Sequence, residues 1–419
     1  MAGADTSTFS TILKEDYKDP IVDVLNSKTL LLSRIQRNTE DVVGKRAYLP
    51  FNISRNEGVG ARAEGGTLPT AGQQGYNDAT FNMTYHYGRI KVTGPVIAAA
   101  ASDTGAFTRA VESETKGMVR DLLKDQNRQL FQDGTGFLAA RASGGAAAQA
   151  TIVVDSIQHL RVGMVLDLME ATGSATVPTA LTNNTGKTIA SIARSTKTIT
   201  FSQNIGTATT SSTRLVRQGS ISKEMYGLDA IFKQTSGLLN VNITNGVPNF
   251  GAIDHTDAAN EWYLANGLFH TTPGTNRPFS FDLIDEAKDV VDIEGDGEIS
   301  IWLTNHAIYR RAAKQLLPDR RYATQDGKVG KLDGGYDALD YNGVPLCRDR
   351  DCQDNRIYGL DEETIMLFEM TDWDWMDKDG DVLSRVDGED AYEATMFKYQ
   401  QLGCSDKKNN ICIFDVAHT

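Results

Sequence analysis

Residues 102–134, SDTGAFTRAVESETKGMVRDLLKDQNRQLFQDG, decide how the rest of the chain is arranged. Their apolar residues recur at steps of three and four, which places them on one face of a helix. These residues are Phe107, Val111, Met118, Val119, Leu122, Leu123, Leu130 and Phe131. Asp103 or Thr104 can cap the start of this helix, and Gly134 can adopt the left-handed conformation that stops it. About 30 residues at roughly 1.5 Å each give a rod of about 45 Å, and we predict that this spine helix carries the other parts of the chain.

Charged pairs one helical turn apart are expected on the solvent side of the spine helix, where they stabilise an isolated helix. The pairs are Glu112 with Lys116, Asp121 with Lys124, and Asp125 with Arg128.

The composition is that of a soluble chain long enough for two or three domains. The 42 basic and 55 acidic residues give a net charge of −13, which repels phosphate backbones and argues against tight nucleic-acid binding. The same charge suits a protein that lies near DNA without adhering to it. No run of about 18 apolar residues is present, and the first residues lack the basic and apolar blocks of a secretion signal. We therefore expect a cytoplasmic protein without a membrane contact.

All four cysteines lie in the last quarter of the chain: Cys347, Cys352, Cys404 and Cys412. Their spacings are not those of a zinc site. We expect buried reduced thiols, and a disulfide formed later, outside the cell, is the alternative.

A change to period-two alternation at Arg46 predicts strands. The outgoing strand carries Leu49, Phe51 and Ile53, and the returning strand carries Phe81, Met83, Tyr85 and Tyr87. The apolar positions then shift to Ile90 and Val92, which predicts a bulge at Gly88. Between the strands, residues 56–79 contain six glycines and few large apolar side chains. Such a tip is either a mobile surface loop or is supported by another subunit, and we favour the second because the strands beneath it are strongly patterned.

The remaining segments alternate between mixed and β-rich patterns. Residues 20–35 are predicted to form a helix, and residues 142–150 a linker. Short strands between residues 151 and 218 predict a small inserted β-barrel or sandwich. Residues 281–317 predict a helix, a strand and a second helix, which Asn305 caps and Pro318 stops. Strands are predicted again at 344–347, 357–360, 364–369, 392–401 and 410–416, after a polar loop at 319–341.

No catalytic, cofactor or metal constellation emerges from the motifs. The six histidines are scattered, and there is no phosphate-binding loop, dinucleotide fingerprint or nucleophile elbow. Residues 373–381, WDWMDKDGD, are similar to a calcium loop, but Trp375 stands where the first carboxylate is required. A solvated acidic turn is the expected structure there.

Three stretches resemble parts of the major capsid proteins of tailed bacteriophages, whose Hong Kong ninety-seven type fold is shared with encapsulins. Residues 85–100, YHYGRIKVTGPVIAAA, resemble the strand that joins the extended loop to the spine helix in that family. Residues 342–351, NGVPLCRDRD, resemble the strand that leads into its axial domain, and residues 399–417, YQQLGCSDKKNNICIFDVA, resemble its closing strands. The order of parts resembles the family over most of the chain except residues 151–218.

The resemblance implies an α+β chain with the phage major capsid fold: an N-terminal arm, an extended β-hairpin loop, a long spine helix, peripheral and axial domains, and an inserted small all-β domain. The corresponding segments are 1–45 for the arm, 46–92 for the extended loop, 93–142 for the spine helix and start of the peripheral domain, 151–218 for the inserted β domain, 219–280 for the peripheral/axial connection, and 281–419 for the axial domain and closing strands of the peripheral domain.

The implied function is that of a non-enzymatic major capsid protein, which self-assembles through pentamers and hexamers into an icosahedral shell around a double-stranded DNA phage genome. The expected inter-subunit contacts are Arg55, Glu57, Arg62, Glu64, Tyr76, Arg109, Arg120, Arg320 and Arg321. The implied location is the virion capsid, assembled in the host cytoplasm, with packaged DNA nearby but not bound sequence-specifically. A portal is an expected partner and a decoration protein an optional one, and no cofactor or metal is expected.

Two departures from the family matter. Some relatives form covalent cross-links through a lysine on the extended loop, but residues 47–90 contain no lysine, so we expect non-covalent contacts. Residues 1–45 leave no room for a long internal scaffolding segment, so we expect a separate scaffolding protein.

Two other functions stay open at this point. An encapsulin-like compartment shell has the same fold, but the inserted β domain and the lack of a cargo signal place it second. An enzyme with an unrecognised site would be a small oligomer, whereas a shell protein forms capsomers or megadalton particles.

Overall fold

The computed structural model describes residues 29–95, 104–142, 149–170, 179–180, 184–206, 212–232, 250–253, 257–270, 275–320, 338–377, 382 and 384–417. Most of the predicted linker (143–148), most of the polar loop (321–337), the end of the acidic turn (378–381) and most of the N-terminal arm lie outside these residues. The helices are α1 (Leu30–Arg34), α2 (Thr104–Leu130), α3 (Leu228–Phe232), α4 (Asp282–Gly295) and α5 (His306–Arg320), with 3-10 turns at Phe250–Ala252 and Ala258–Tyr263.

The strands are, in chain order, β1 (Gln36–Asn38), β2 (Val42–Val43), β3 (Arg46–Ser54), β4 (Gly75–Asn82), β5 (Thr84–Thr93), β6 (Phe137–Ala140), β7 (Thr151–Val153), β8 (Val165–Glu170), β9 (Thr179–Ala180), β10 (Lys187–Ala193), β11 (Thr198–Phe201), β12 (Thr213–Arg217), β13 (Asn266–Leu268), β14 (Arg277–Pro278), β15 (Ile301–Thr304), β16 (Ala338–Tyr341), β17 (Val344–Arg348), β18 (Ile357–Leu360), β19 (Ile365–Trp375), β20 (Ser384–Arg385), β21 (Ala391–Cys404), β22 (Ile411–Ile413) and β23 (Val416–Ala417).

The predicted spine helix is present as α2, with 27 residues. Four of the apolar residues predicted to face the core are buried: Val119, Leu123, Leu130 and Phe131. Gly134 has a φ of +83°, the left-handed conformation expected after the helix end. The helix packs on a five-stranded sheet of order β1-β19-β21-β20, to which β5 adds along β21. Ile90, Trp373 and Met396 of this sheet share a buried cluster with Val119 and Leu123 of the helix.

The prediction for the strand after the extended loop was wrong in two respects. The returning strand ends at Asn82, and β5 is a separate strand whose pairing with β21 runs from Thr84↔Gln400 to Thr93↔Ala391 without a register shift. The expected bulge at Gly88 is therefore not formed. The inward set of β5 includes Gly88 and Ile90, whereas Tyr85 and Tyr87 face solvent.

Gly88 is required for a close approach rather than for a bulge. A Cβ at this position would lie 2.7 Å from Cδ1 of Leu122 and 3.0 Å from Sδ of Met118 on the spine helix. Both distances are shorter than ordinary contact, so a larger residue would force these two side chains to shift if the helix stays this close to β5. The apparent change of phase arises because a residue without a side chain occupies an inward position.

The extended loop has a packed base and a projecting tip. β3 and β4 pair antiparallel from Arg46↔Asn82 to Ser54↔Gly75. At the base, Phe51 packs on Trp262 and Tyr263, and Phe81 packs on Phe250 and Phe368. Beyond the strands, residues 55–74 have no regular secondary structure and almost all are exposed.

A six-stranded sheet of order β13-β22-β18-β15-β17-β16 separates two cores. Trp302 faces α4 and α5 on one side, whereas Ile301 and Leu303 face the spine helix and the loop base on the other. The predicted cap of α5 is confirmed, because Oδ1 of Asn305 accepts the backbone N–H groups of Ala307 and Ile308. The prediction that Pro318 stops this helix was wrong, since α5 continues to Arg320.

The predicted inserted β domain is a closed barrel. Its strands follow the order β6-β12-β8-β10-β11-β7, with β9 beside β8. A bridge between Arg141 and Val154, with hydrogen bonds from Ala142 N to Val153 O and from Asp155 N to Ala140 O, joins the two edges. β6 therefore places residues 137–140, which follow the spine helix after the turn at 131–136, in the same barrel as residues 151–217.

Candidate assembly surfaces

The tip of the extended loop exposes apolar side chains that the chain itself does not cover. Val59 and Leu68 are 70% and 80% exposed, and Tyr76, at the start of β4 beside the tip, is 74% exposed. Large exposed apolar groups on one projection are typical of a protein–protein contact. Four of the predicted contact residues, Arg55, Glu57, Arg62 and Glu64, are also exposed on this tip.

Arg62 both carries a charge and forms hydrogen bonds with the backbone of the tip. Its Nε donates to the carbonyl of Thr67 at 3.0 Å, and its Nη1 donates to the carbonyl of Ala61 at 2.9 Å. Gly66 N donates to the carbonyl of Ala63 at 2.9 Å in the same turn. The guanidinium thus supports the loop conformation that presents Glu64.

A second exposed surface lies on the outer face of the five-stranded sheet. Tyr85 and Tyr87 are 50% and 54% exposed, and both contact Tyr399, with ring centroids 5.0 and 6.3 Å away. Phe397 lies 5.1 Å from Tyr399. Farther along the same face, Arg89 forms an ion pair with Glu393, so an aromatic patch is flanked by charge.

The last turn of the spine helix holds a buried polar cluster that joins three parts of the fold. Its members are Gln126, Asn127, Arg128 and Gln129, each no more than 3% exposed. Gln126 donates from Nε2 to Oε1 of Gln400 on β21 at 2.9 Å. Asn127 donates from Nδ2 to Asp349 at 3.1 Å and to Asp351 at 2.7 Å, next to β17. The helix end is therefore bonded to the five-stranded sheet and to the loop that follows β17 of the six-stranded sheet.

Arg128 was predicted to lie on the solvent side with Asp125, and that placement was wrong. The pair exists at 3.1 Å, but Nη2 of Arg128 also contacts Oε1 of Glu224 at 2.7 Å, and the side chain is buried between them. Burial opposes its charge, but the two carboxylates outweigh that effect and raise its pKa. Burial likewise opposes ionisation of Asp125, yet Arg128 and Arg217 hold the pKa of that carboxyl below its usual value.

The barrel is attached to this cluster from the other side. Arg217 of β12 contacts Asp125 at 3.1 Å, and Gln158 donates to the carbonyl of Arg350. Nδ1 of His159 lies 3.9 Å from Asp351, but burial lowers the pKa of this histidine to about 4, with Asp351 offsetting part of the effect. The His159 imidazole is therefore neutral near pH 7, so it forms no ion pair with Asp351. The ion pair of Arg217 with Asp125 is the ionic contact between the barrel and the cluster described here.

An open groove of about 740 Å³ runs between the spine helix, β5 and the barrel. Its lining combines apolar side chains such as Met118 and Leu122 with charged ones such as Arg161, Arg217 and Arg350. Such a lining provides contact surface rather than an enclosed pocket for a small apolar ligand.

The ionisable side chains of the described residues were compared with the requirements of a metal site. No group of three or more His, Cys, Asp or Glu side chains among them is arranged to hold a metal ion. The four cysteines are buried free thiols, as expected, and burial raises the pKa of Cys347 to about 11 and of Cys404 to about 12. Trp373 and Trp375 were assigned to a solvated turn, but they lie buried in β19. Within the described part of the chain, no helix has the length and apolar composition needed to cross a membrane.

No protein-family model matches the sequence, and no curated protein matches it. Among solved structures, this chain is similar to a chain of the cyanophage A-1(L) capsid asymmetric unit, with a TM-score of 0.52 and 13% sequence identity. The match covers 95% of this chain and 92% of the cyanophage chain. The chain has the phage capsid fold. Two further similarities have TM-scores below 0.5. The match to the capsid of a native GTA particle has a TM-score of 0.46 and 10% identity, and it covers 94% of this chain and 91% of that chain. The match to Mycobacterium phage Bobi has a TM-score of 0.45 and 11% identity, and it covers 99% of each chain.

The fold that the resemblance implied is thus confirmed as the capsid fold. The predicted contact residues lie on the extended loop and on two helices of this fold. Tyr76 lies at the start of β4 beside the exposed loop tip, and Arg120 is exposed on the spine helix. Arg109 and Arg320 lie on α2 and α5, but their side chains are outside what the structure describes, as is the whole of Arg321. Within the described residues, the four charged residues of the loop therefore share one exposed segment, 55–64.

Proposed function

We propose that this chain is a major capsid protein, which self-assembles into an icosahedral shell around a double-stranded DNA phage genome. The observation that carries the proposal is the extended loop of a chain with the capsid fold, whose base is packed on its own body while its tip is not. Val59 and Leu68 lie on that tip, and neither finds apolar cover within the described residues. A neighbouring copy would supply that cover.

The contacts would be non-covalent. Apolar burial of the tip contributes about 25 cal/mol per Å² removed from water, and a specific interface needs about 1,000 Å² in total. Closed symmetry gives every subunit one loop to donate and one site to receive a loop, so modest contacts are repeated around each pentamer and hexamer. Because residues 47–90 contain no lysine, a lysine cross-link from the loop is not part of this proposal.

The charged residues of the loop would fix the register of the contact. Arg55, Glu57, Arg62 and Glu64 alternate in sign along the exposed tip, and complementary charges at an interface rim give specificity more than affinity. Tyr76 would add an aromatic anchor. Arg109, Arg120, Arg320 and Arg321 are proposed contacts of the same kind on the body of the subunit.

The partners that we propose follow from a shell function. They are further copies of the chain, a separate scaffolding protein, a portal and, optionally, a decoration protein, with assembly in the host cytoplasm and residence in the virion. The net charge of −13 would let packed DNA lie against the wall without adhering.

Purification of the expressed chain tests this function. We expect capsomers or closed shells by size-exclusion chromatography and negative-stain microscopy. Shells that hold protein cargo and no DNA in the natural host would favour an encapsulin-like compartment. A small oligomer that turns over a substrate would favour an enzyme and overturn the proposal.

A further inference from the structure

The open groove between the spine helix, β5 and the barrel has an apolar floor. Met118 and Leu122 of the spine helix and Met164 of the barrel form this floor, and all three side chains are half-buried. Methionine side chains are unbranched and flexible, so they adapt to the shape of an apolar group that is laid against them. The floor therefore suits a partner that brings an apolar side chain.

The charges around this groove differ from those of the whole chain. Seven basic and four acidic side chains line it, whereas the whole chain has a net charge of −13. Two of the basic side chains, Lys124 and Arg161, form no ion pair among the described residues. Nη1 of Arg161 donates to the carbonyls of Gln158 and Leu160 at 2.8 Å each, which holds the guanidinium at the rim. The rim can therefore receive carboxylates.

An acidic protein segment fits this groove better than a nucleic acid does. The four carboxylates of the lining, which include Asp121 and Asp125, would repel a continuous phosphate backbone. A protein segment can instead place its carboxylates beside the basic groups and its apolar side chains on the floor. Amphipathic helices dock into grooves in this way, through residues at positions i, i+3, i+4 and i+7 of one face.

The helix α4 carries such a face on its outward side. Glu286, Asp289, Val290 and Ile293 occupy positions i, i+3, i+4 and i+7, so they form one stripe. Both carboxylates are exposed, and Val290 is half-buried. Ile293 is 79% exposed, and acidic residues directly precede and follow it in the sequence. The helix therefore presents an apolar anchor among carboxylates.

The composition of this segment is complementary to that of the groove. Residues 282–298 hold eight carboxylates and one lysine. The inward side of α4, with Leu283 and Ile284, packs in the same core as Trp302, so the outward stripe cannot cover itself. Because one chain carries both surfaces, a contact between them joins two copies head to tail. Such contacts close into rings when the rotation between the copies permits it.

We propose that the groove receives α4 of a second copy of this chain. Ile293 lies on the floor formed by the two methionines and Leu122, and the carboxylates of Glu286 and Asp289 face the basic rim. The contact is additional to that of the extended loop, and it rests on the self-association that the proposed function requires.

The anchor and the rim contribute differently to this contact. Burying an isoleucine side chain strengthens an interface by about tenfold or more, whereas an exposed ion pair contributes about fivefold or less. Ile293 therefore supplies most of the affinity, and the charges set the register.

Disulfide trapping between two variants of the full-length chain tests the contact. One variant carries Ile293→Cys and the other carries Met118→Cys and an affinity tag, while the four native cysteines are buried. The two chains are mixed and oxidised with glutathione disulfide. We expect about tenfold more mixed dimer than with a tagged Val153→Cys chain, because docking holds the two thiols at a high effective concentration. Val153 is exposed on β7 of the same barrel and does not line the groove, which makes it the matched control.

Two further measurements separate a copy-to-copy contact from other occupants of the groove. Ile293→Ser changes an exposed residue and leaves the fold intact, and it should weaken association by about tenfold or more in sedimentation velocity. In the unassembled chain, the thiol of Met118→Cys should react readily with a small reagent and become protected on assembly. Slow labelling of the unassembled chain would show that the chain itself covers the groove, and would overturn the proposal.

Equal yields of mixed dimer with Met118→Cys and with Val153→Cys would also overturn it. If shells form and these yields are equal, the groove contact fails and the shell function stands. If the mixed dimer forms in excess but only small oligomers assemble under every condition, the groove contact stands and the shell function fails.

Discussion

Replacing Gly88 with alanine tests the close packing of the spine helix on β5. The added Cβ would meet Cδ1 of Leu122 at 2.7 Å and Sδ of Met118 at 3.0 Å. Overpacking typically costs about 1–3 kcal/mol, and we expect about 1–2 kcal/mol because both contacted atoms are ends of half-buried side chains that can move. The free energy of unfolding, from urea denaturation of the unassembled chain followed by circular dichroism, measures this loss.

Gly117→Ala is the matched control on the facing helix. An added Cβ there has no neighbour within 4 Å, so the change only improves helix propensity and should stabilise the chain by about 0.5–1 kcal/mol. The same chemical substitution is therefore expected to act with opposite sign at two positions that line one groove. If Gly88→Ala is neutral or stabilising, the helix does not lie on β5 as described.

A double-mutant cycle adds a second condition. Leu122→Ala removes the atom closest to the new methyl group, so Gly88→Ala should cost about 1 kcal/mol less in that background than in the wild type. Equal costs in both backgrounds would refute the steric explanation even if Gly88→Ala were destabilising.

Three further predictions concern buried ionisable groups. Arg128→Met should lower the free energy of unfolding in urea by about 3–5 kcal/mol, because it leaves Glu224 buried without its cation. Adding Glu224→Met should recover much of that loss. A decrease below about 1 kcal/mol for the single change would contradict the buried pair. The free energy of unfolding of the wild type should rise as the pH increases from about 7 toward 10.5, since burial lowers the pKa of Lys407 to about 7 and the unfolded chain binds the Lys407 proton more tightly. Lys407→Met should be more stable than the wild type at pH 7 and should lack that rise. A pH series of denaturation curves measures both. The native thiols should react with a disulfide reagent at pH 8 only after denaturation, because burial raises the pKa of Cys347 to about 11 and of Cys404 to about 12; rapid labelling of the folded chain would show that they are accessible.

The elements with a sustained period could be predicted from the sequence. The spine helix carries its apolar face over most of its length, and the barrel strands, including residues 151–153 and 198–201, are short and bounded by turn residues. These signals are local, so one sequence is enough to read them. The capsid fold itself was implied by a resemblance to a known family, in which the order of parts counted for more than any single motif.

Strand pairing and buried polar contacts could not be read in the same way. Tyr85 and Tyr87 continue an alternation that begins in β4. However, the strand is interrupted at Met83, and β4 and β5 belong to different sheets. Gly88 gives no sequence signal for the side chains of the helix that face it. These features depend on partners far away in the chain, which periodicity does not reveal.

The polar cluster of the spine helix was missed for a related reason. Residues 126–129 have the composition of a solvent-exposed face, and only their partners on β21 and beside β17 make burial favourable. The unusual run of six polar residues, 124–129, directly before Leu130 and Phe131 is the signal that could have indicated it. Lys407 has no such signal, because nothing in its neighbourhood along the chain distinguishes it from Lys408.

Shortening the extended loop is the most direct test of assembly through that loop. Residues 57–72 are replaced by a short glycine-serine turn, which leaves Phe51 and Phe81 and their packed base in place, and sedimentation velocity compares this variant with the wild type. We expect the wild type to form capsomers or shells and the shortened chain to remain folded but to stay monomeric. Equal assembly of both chains, or a wild type that is monomeric under every condition, would contradict the proposed role of the loop.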